Sequence, residues 1–315
     1  MGRKRENSVV QRPNWMYILC IMKKPLILIA MAVVLFAASE AEAQLGFNPE
    51  FLGNAAGAPG PGFCLKFFTS YDYQHSIAAQ DIETAFEPQY FFPGFTGDAK
   101  RDQIQVIAHL PVGYRRQKVP TGTVESVTGI GLLTVNVEHF WHLIDEEDMQ
   151  LWFDNAITTS YPTSTENEGI SAGGDAKIIR IGGNSFAVGW FTESFFRYKD
   201  WLFSVNPVVL VWAFEDERTH DRSGLNISVM NSSVGYQVSK NVGLGVDFGM
   251  ILGNVAGSSA ATGGELPLVL RAYAGPAMLI NLPKTSSLQI GSAIDFATKN
   301  AAKGMGIFTA LWHQF

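Results

Sequence analysis

The chain has 315 residues, with 23 Lys and Arg against 29 Asp and Glu, a formal charge of −6, 47% hydrophobic residues, 17% charged residues and 31 Gly. Soluble domains usually carry about 25% charged residues, and nucleic-acid-binding proteins usually show a basic face. We therefore expect no nucleic-acid partner. No uninterrupted apolar run reaches the roughly 18 residues that a membrane-spanning helix needs. A soluble all-β protein and a membrane β-barrel remain.

Residues 1–43 are predicted to be a secretory signal peptide with an extended basic start. Two lysines precede an apolar stretch over 26–38, and an Ala-x-Ala site ends at Ala43, which together are the three parts of such a peptide. We expect cleavage after Ala43. The processed chain then keeps a single cysteine, Cys64, so no internal disulfide can form.

Residues 44–62 are rich in Gly and Ala and include Pro59 and Pro61. Proline donates no hydrogen bond to a strand ladder, so this segment is predicted to lie in the periplasm or to fold into a barrel lumen as a plug. From residue 63 to 315 the apolar residues recur at every second position. This pattern predicts one all-β domain over 63–315.

The candidate strands are mostly 11–15 residues long. Strands of soluble proteins usually have about 5–6 residues, whereas a tilted strand that crosses a bilayer needs about 9–11. The lengths and the export signal favour a transmembrane antiparallel β-barrel over a soluble sandwich. Twelve strands are predicted, with a bulge near Asn231 in the eighth: 63–74, 104–114, 129–141, 148–161, 176–182, 185–197, 201–214, 225–238, 242–250, 267–282, 287–297 and 303–315.

The connections differ at the two ends of the predicted barrel. Residues 238–241 and 281–286 are short, whereas 215–224 and 253–266 are long and polar, which is the asymmetry of outer-membrane barrels. One alternative stays open for the first half of the chain. If 161–175 and 115–128 are both outer loops, 176–182 is not a separate strand, another lies within 77–92, and the total remains twelve.

The chain ends on Phe315, and Leu311 and Ile307 stand at alternate positions before it. This ending resembles the signal that the bacterial barrel-assembly machinery reads. Together with the signal peptide it predicts insertion into the bacterial outer membrane, with membrane lipid and that machinery as partners.

Several short stretches resemble the meta-pathway phenol-degradation family of outer-membrane barrels, which is related in architecture to the long-chain fatty-acid channel family. They are Pro61-Gly62-Phe63, Gly129-Ile130-Gly131-Leu132, Tyr161-Pro162-Thr163 and Ala274-Gly275-Pro276. The chain departs from the family at Leu132-Leu133, where a Gly-Asp is usual, and at Ser164, where a Gly is usual. The resemblance implies passive uptake of small hydrophobic or aromatic compounds.

Ionisable residues inside the strands are expected to face the lumen, because a charge that faces lipid near the midplane costs about 2–4 kcal/mol for Arg or Lys. Phe191 and Phe195 fall on the same faces as such residues. A mixed apolar and polar lining suits a poorly soluble aromatic ligand. The candidate lumen residues are Lys66, Asp72, Glu138, Glu193, Arg197, Asp247, Asp295, Phe191 and Phe195.

Two other functions are considered beside a channel. One is a structural or adhesive barrel whose lumen is closed by its own side chains. The other is an outer-membrane hydrolase that uses His139, His142 or His313, although no Gly-x-Ser-x-Gly or His-Glu-x-x-His motif occurs. His139 and His142 are expected to face opposite sides of a strand. We predict no enzymatic activity, no cofactor and no metal site.

Overall fold

The computed structural model describes residues 61–315 except 76–77, 119–122, 147, 164–165, 171–175, 181–184, 217–219, 261 and 284. The predicted signal peptide over 1–43 and almost all of the segment over 44–62 lie outside the described residues. In the described part no helix has the length and hydropathy needed to span a membrane. The strands are Gly62–Gln74 (β1), Ala79–Pro93 (β2), Asp102–Lys118 (β3), Val124–Ile130 (β4), Leu133–Glu146 (β5), Met149–Tyr161 (β6), Glu166–Ile170 (β7), Ala176–Arg180 (β8), Ser185–Tyr198 (β9), Trp201–Asp216 (β10), Arg222–Ser239 (β11), Val242–Val255 (β12), Val269–Leu282 (β13), Ser286–Lys299 (β14) and Gly304–Gln314 (β15).

Thirteen of the strands form one closed antiparallel sheet. Going round it, the order is β1, β15, β14, β13, β12, β11, β10, β9, β6 and β5, then β3 and β2, and β2 pairs with β1 again. β4 and β5 together occupy a single strand position in the barrel, because β4 pairs with the second half of β3 and β5 pairs with the first half. The fold is therefore a twelve-stranded barrel, which confirms the predicted class and strand number.

Proline explains why β4 and β5 are separate strands. Pro111, in the middle of β3, has no N–H to give to a neighbouring strand. Pairing between β3 and β5 stops at His109 and resumes with β4 at Val112. The carbonyl of Pro111 still accepts a hydrogen bond of 2.9 Å from the N–H of Gly131, so the interruption stays local.

Short and long connections are sorted to opposite ends of the barrel. The turns after β5, β9, β11 and β13 have two or three residues, and they share one end with Gly62 and Gln314. We call this the turn end. The loops after β6, β10 and β12 lie at the other end, which we call the loop end, and the longest spans 162–184. This arrangement matches the periplasmic and extracellular sides of outer-membrane barrels.

The open alternative for the first half of the chain is resolved by the pairing. Residues 176–180 pair with Glu166–Ile170 in a separate two-stranded sheet, so the listing of 176–182 among the barrel strands was wrong. The strand expected within 77–92 exists as β2. The outer loop predicted over 115–128 is shorter in the structure, because β3 extends to Lys118 and β4 begins at Val124.

Large apolar side chains cover the outside of the barrel at alternate positions. Phe67 on β1 and Val246 on β12 are 46% and 47% exposed, whereas their neighbours Phe68 and Asp247 are 3% and 0% exposed. Soluble proteins rarely expose a continuous apolar surface as large as the one that surrounds this closed barrel. It faces lipid.

Aromatic rings gather at both ends of this apolar surface. At the turn end Trp201 lies 5.1 Å from Tyr236 between ring centroids, and at the loop end Phe186 lies 5.6 Å from Phe214. Trp201 and Trp212 are eleven residues apart on β10. At about 3.4 Å per residue and a tilt of about 40°, they are separated by about 29 Å along the barrel axis, close to the height of the apolar band in such barrels.

The predicted bulge near Asn231 is present. The register of β11 against β12 shifts between Val229 and Ser232, and Met230 has a positive φ of 54°. Such a residue lets a strand change the face on which its side chains lie. The irregularity explains the change of phase in the sequence.

Candidate functional site: the lumen of the barrel

The inward face of the barrel is lined by polar and charged side chains at nearly every level. The acidic residues on this face outnumber the basic ones among the described residues. They include Asp72, Asp81, Glu83, Glu87, Glu125, Glu138, Asp154, Glu193, Asp247 and Asp295, against Lys66, His109, Arg115, His142 and Arg271. The lumen therefore carries an excess of carboxylates.

One wall of the lumen carries a shared ion pair. The Nζ of Lys66 on β1 lies 2.7 Å from Oε2 of Glu87 on β2, and the Nδ1 of His109 on β3 lies 2.6 Å from the other oxygen of the same carboxylate. The Nε2 of His109 lies 3.5 Å from Glu83. Side-chain ion pairs thus link the three neighbouring strands β1, β2 and β3, in addition to the hydrogen bonds between their backbones.

Two further ion pairs lie nearer the loop end. Arg115 on β3 lies 3.2 Å from Asp81 on β2, and Arg271 on β13 lies 2.9 Å from Asp295 on β14. The same oxygen of Asp295 accepts a 2.9 Å hydrogen bond from the N–H of Gly304. These pairs link adjacent strands of the barrel wall.

A different arrangement occupies β5, β6 and β9. On each of these three neighbouring strands a carboxylate and an aromatic ring lie two residues apart on the inward face, and the ring is always nearer the turn end. The pairs are Glu138 with Phe140, Asp154 with Trp152, and Glu193 with Phe195. All six residues are at most 9% exposed. We call this set the acid–ring face.

The rings of the acid–ring face form one cluster. Phe140 lies 6.3 Å from Phe195 in a stacked arrangement and 6.3 Å from Phe91 of β2. Trp152 and the buried Cys64 belong to the same cluster, and Trp312 packs against it. An apolar aromatic patch therefore lies inside the barrel, directly beside the carboxylates.

The carboxylates of the acid–ring face are held by the strand register. Asp154 is the direct partner of Glu193 in the pairing of β6 with β9, and paired strands lie about 4.8 Å apart. Oε1 of Glu193 accepts a 2.5 Å hydrogen bond from the hydroxyl of Ser204, and Oε1 of Glu138 accepts one of 3.4 Å from Asn136.

Several buried polar side-chain atoms near this face lack a hydrogen-bond partner within the described part of the chain. Among them are Oδ1 of Asp154, Oγ of Ser233 and Nε2 of His142. Asp154 and Ser233 are 1% and 0% exposed. Ser233 is the strand partner of Ser204 and of Asp247, so it lies on the lumen side. No group of three or more His, Cys, Asp or Glu in the described ranges is arranged to hold a metal ion.

Most of the predicted lumen residues lie on the inward face. Lys66, Asp72, Glu138, Phe191, Glu193, Phe195, Asp247 and Asp295 do so, whereas Arg197 is exposed at the turn end. There the Nε of Arg197 donates a 3.2 Å hydrogen bond to the carbonyl of Lys199. The expectation that Arg197 pairs across the interior was wrong, because its place in the strand lies at the barrel rim.

The predicted assembly signal and the two histidines have clear positions. Phe315 donates a 3.0 Å backbone hydrogen bond to Phe63, and their rings are 5.6 Å apart. His139 faces outward and bonds Asp102 at 2.9 Å, whereas His142 faces inward and packs on Trp152. The two histidines thus face opposite sides and form no joint site.

Several lumen residues were not singled out from the sequence. Asp154 and Trp152 lie within a predicted strand, and their spacing of two places them on one face, so the signal was present. Glu87 belongs to β2, which was predicted only in the alternative that places a strand within 77–92. His109 lies within the predicted strand 104–114, but its acidic partners on β2 depend on the pairing of β2 with β3.

Comparison with solved structures places this fold among bacterial outer-membrane barrels. The COG4313 outer membrane channel from Pseudomonas putida F1 superposes with a TM-score of 0.65 at 12% identity, over 86% of this chain and 100% of that one. The β domain of the Bordetella autotransporter BrkA gives a TM-score of 0.48 at 12% identity, over 82% and 100%. No family model matches the sequence, and no curated protein matches it. The chain has the fold of an outer-membrane β-barrel.

Proposed function

We propose that this barrel is a passive outer-membrane channel for small hydrophobic compounds, aromatic ones in particular. The observation that carries the proposal is the aromatic cluster of Phe91, Phe140, Trp152 and Phe195 on the inward face. Water-filled porins have a largely polar interior, and sites for small organic molecules are mostly apolar with a few placed polar groups. Rings inside the barrel offer a solute a surface on which to stack.

A second part of the proposal concerns the protein family to which this chain belongs. Short motifs such as Tyr161-Pro162-Thr163 resemble the meta-pathway phenol-degradation barrels, and the Pseudomonas putida structure with the same fold is described as a channel. We propose membership of that family for this chain. No catalytic step is proposed. His139 and His142 lie on opposite faces of β5. Nδ1 of His313 lies 2.7 Å from the hydroxyl of Ser286, but among the described residues no Asp or Glu side chain contacts His313 to complete a catalytic triad.

Uptake by liposomes that contain the processed protein tests the channel. The probes are phenyl glucoside and methyl glucoside, which share a sugar that keeps them from crossing lipid unaided. Stacking of a ring on the aromatic cluster contributes about 0.5–1.5 kcal/mol, so the phenyl compound should enter at least about twofold faster although it is larger.

A matched variant ties this preference to the cluster. Replacing Phe140 and Phe195 together by Leu keeps an apolar lining without rings, so the preference for the phenyl compound should disappear while methyl glucoside still enters. Uptake of methyl glucoside with no phenyl preference in the unmodified protein would refute the aromatic specificity.

A closed structural barrel is a second candidate, and one observation favours it. The inward residues Ser204, Asp247 and Phe308 are at most 1% exposed, which is also what a lumen filled by side chains gives. This candidate predicts that neither glucoside enters liposomes in which the protein is fully folded.

A further inference from the structure

We propose that the acid–ring face binds small organic cations that combine an ammonium group with an apolar or aromatic part. The inference rests on the proposed channel and names the class of solute that it prefers. Each of three adjacent strands offers one carboxylate and, two residues away, one ring: Glu138 with Phe140, Asp154 with Trp152, and Glu193 with Phe195.

The preference for organic cations follows from the alternation of carboxylates and aromatic rings on these three strands. A carboxylate accepts charge-assisted hydrogen bonds from an ammonium group, and the face of Trp or Phe attracts a cation through its quadrupole. Two residues along a strand correspond to about 7 Å. A molecule with an ammonium group at one end and a phenyl group at the other spans that distance, and it contacts both partners at once.

A second observation, in addition to the cluster of carboxylates, also points to a bound ligand. Oδ1 of Asp154 is buried and, among the described residues, accepts no hydrogen bond. Burying such an acceptor without a donor is costly. An N–H donor of a bound cation would satisfy it, and the hydroxyl of Ser233 adds a second buried polar atom on the lumen side.

Other occupants fit less well. A metal ion needs several ligands converging on one point, and no such group of acidic, His or Cys side chains exists in the described ranges. An organic anion would meet three carboxylates. The wall with Lys66 and His109 offers positive groups, but both already contact Glu87.

The test compares benzylammonium with benzoate, which share a phenyl ring and differ in the sign of their charge. Both are measured by liposome uptake and by the reversal potential in planar bilayers. We expect benzylammonium to pass about tenfold faster than benzoate, because the carboxylates accept charge-assisted hydrogen bonds from the ammonium group and repel the benzoate anion. Asp154→Asn should reduce that ratio to about threefold or less.

Glu83→Gln is the matched control. It removes the same charge from the inward face of β2, away from the rings, and should leave the ratio unchanged. An equal loss in both variants would show general charge repulsion and overturn the binding site. If Asp154→Asn does not fold, the double variant Glu138→Gln with Glu193→Gln gives the same test, since it also removes carboxylates that lie beside rings.

The outcomes separate this inference from the channel itself. Entry of phenyl glucoside with equal rates for benzylammonium and benzoate would refute the cation site and leave the channel standing. Exclusion of all three phenyl compounds would refute both proposals.

Discussion

Lys66 and Glu87 lie directly opposite each other in the register of β1 and β2, and their charged atoms are 2.7 Å apart inside the barrel. The side chains are 15% and 6% exposed, so the pair is largely removed from water. Removing one partner of a buried ion pair is strongly destabilising, because it takes away compensation for the other charge. The pair therefore belongs to the framework of the barrel.

The first prediction concerns this pair. Glu87→Ala removes the carboxylate that Lys66 and His109 share, and it should lower the free energy of unfolding by about 3 kcal/mol. Urea unfolding in lipid vesicles, followed by tryptophan fluorescence, measures the change. Glu215→Ala is the control, because Glu215 pairs with Arg222 in the open at the loop end and should have little effect. Equal losses of unfolding free energy in the Glu87 and Glu215 variants would contradict the assignment of the Lys66–Glu87 pair to the framework of the barrel.

A second prediction concerns the loop over 94–101 at the turn end. Asp102 is 1% exposed, accepts hydrogen bonds from Thr96 and from His139, and fills the space beside Gly94. Asp102→Ala should release the loop, so trypsin should cleave after Lys100 and Arg101 much faster.

Mass spectrometry of timed digests identifies these cuts. Asp145→Ala, at the neighbouring turn, removes the carboxylate that accepts a hydrogen bond from the side-chain amide of Gln150. It serves as the control, since it should leave the loop over 94–101 resistant to trypsin. Unchanged cleavage of the Asp102 variant would mean that the carboxylate does not hold the loop.

A third prediction tests which face meets lipid. Val246→Arg places a charge on the outward face near the middle of β12, where it should cost about 2–4 kcal/mol. Val238→Arg places the same charge on the same side of the barrel but beside the turn at 240–241, where the cost should fall to about 0–1 kcal/mol. Unfolding titrations of both variants give the difference. Similar costs at the two depths would be inconsistent with a bilayer around the barrel.

A fourth prediction concerns close packing between β13 and β14. An added Cβ at Gly275 would overlap the carbonyl oxygen of Ser292, and a backbone atom cannot move aside cheaply. Gly275→Ala should therefore reduce the folded fraction sharply. Gly264→Ala, in the loop after β12, meets nothing closer than 3.5 Å and should fold normally. The shift in gel migration between heated and unheated samples reports the folded fraction.

The architecture was largely predictable from the sequence because one physical rule dominates it. Side chains that face lipid must be apolar and their neighbours on the strand face inward, so strands such as Val242–Val255 reveal both faces by alternation alone. The lengths of the strands then distinguish a bilayer-spanning barrel from a sandwich.

The exceptions have equally local causes. Ala79–Pro93 also alternates, but Pro88 and its acidic inward residues obscured it. Ala176–Arg180 has the composition of a strand and forms one, though in a loop hairpin outside the barrel. Periodicity predicts that a segment is extended, and it does not predict which partner the segment has.

The contents of the lumen were harder to predict for the same reason. Alternation placed Lys66 and Glu138 inside, but it could not pair Lys66 with Glu87, because that contact depends on the register of two strands. Likewise the acid–ring face exists only because β6 pairs with β9 across the intervening hairpin. Register is a property of the closed sheet and not of any single segment.

The most direct test of the whole account is the conductance of the processed protein in a planar lipid bilayer. A barrel with a path through its lumen should produce discrete, uniform current steps, and Asp154→Asn should shift the reversal potential of a benzylammonium gradient. A protein whose unheated gel band proves that it is folded, yet which leaves the bilayer current flat over many insertions, would contradict the account.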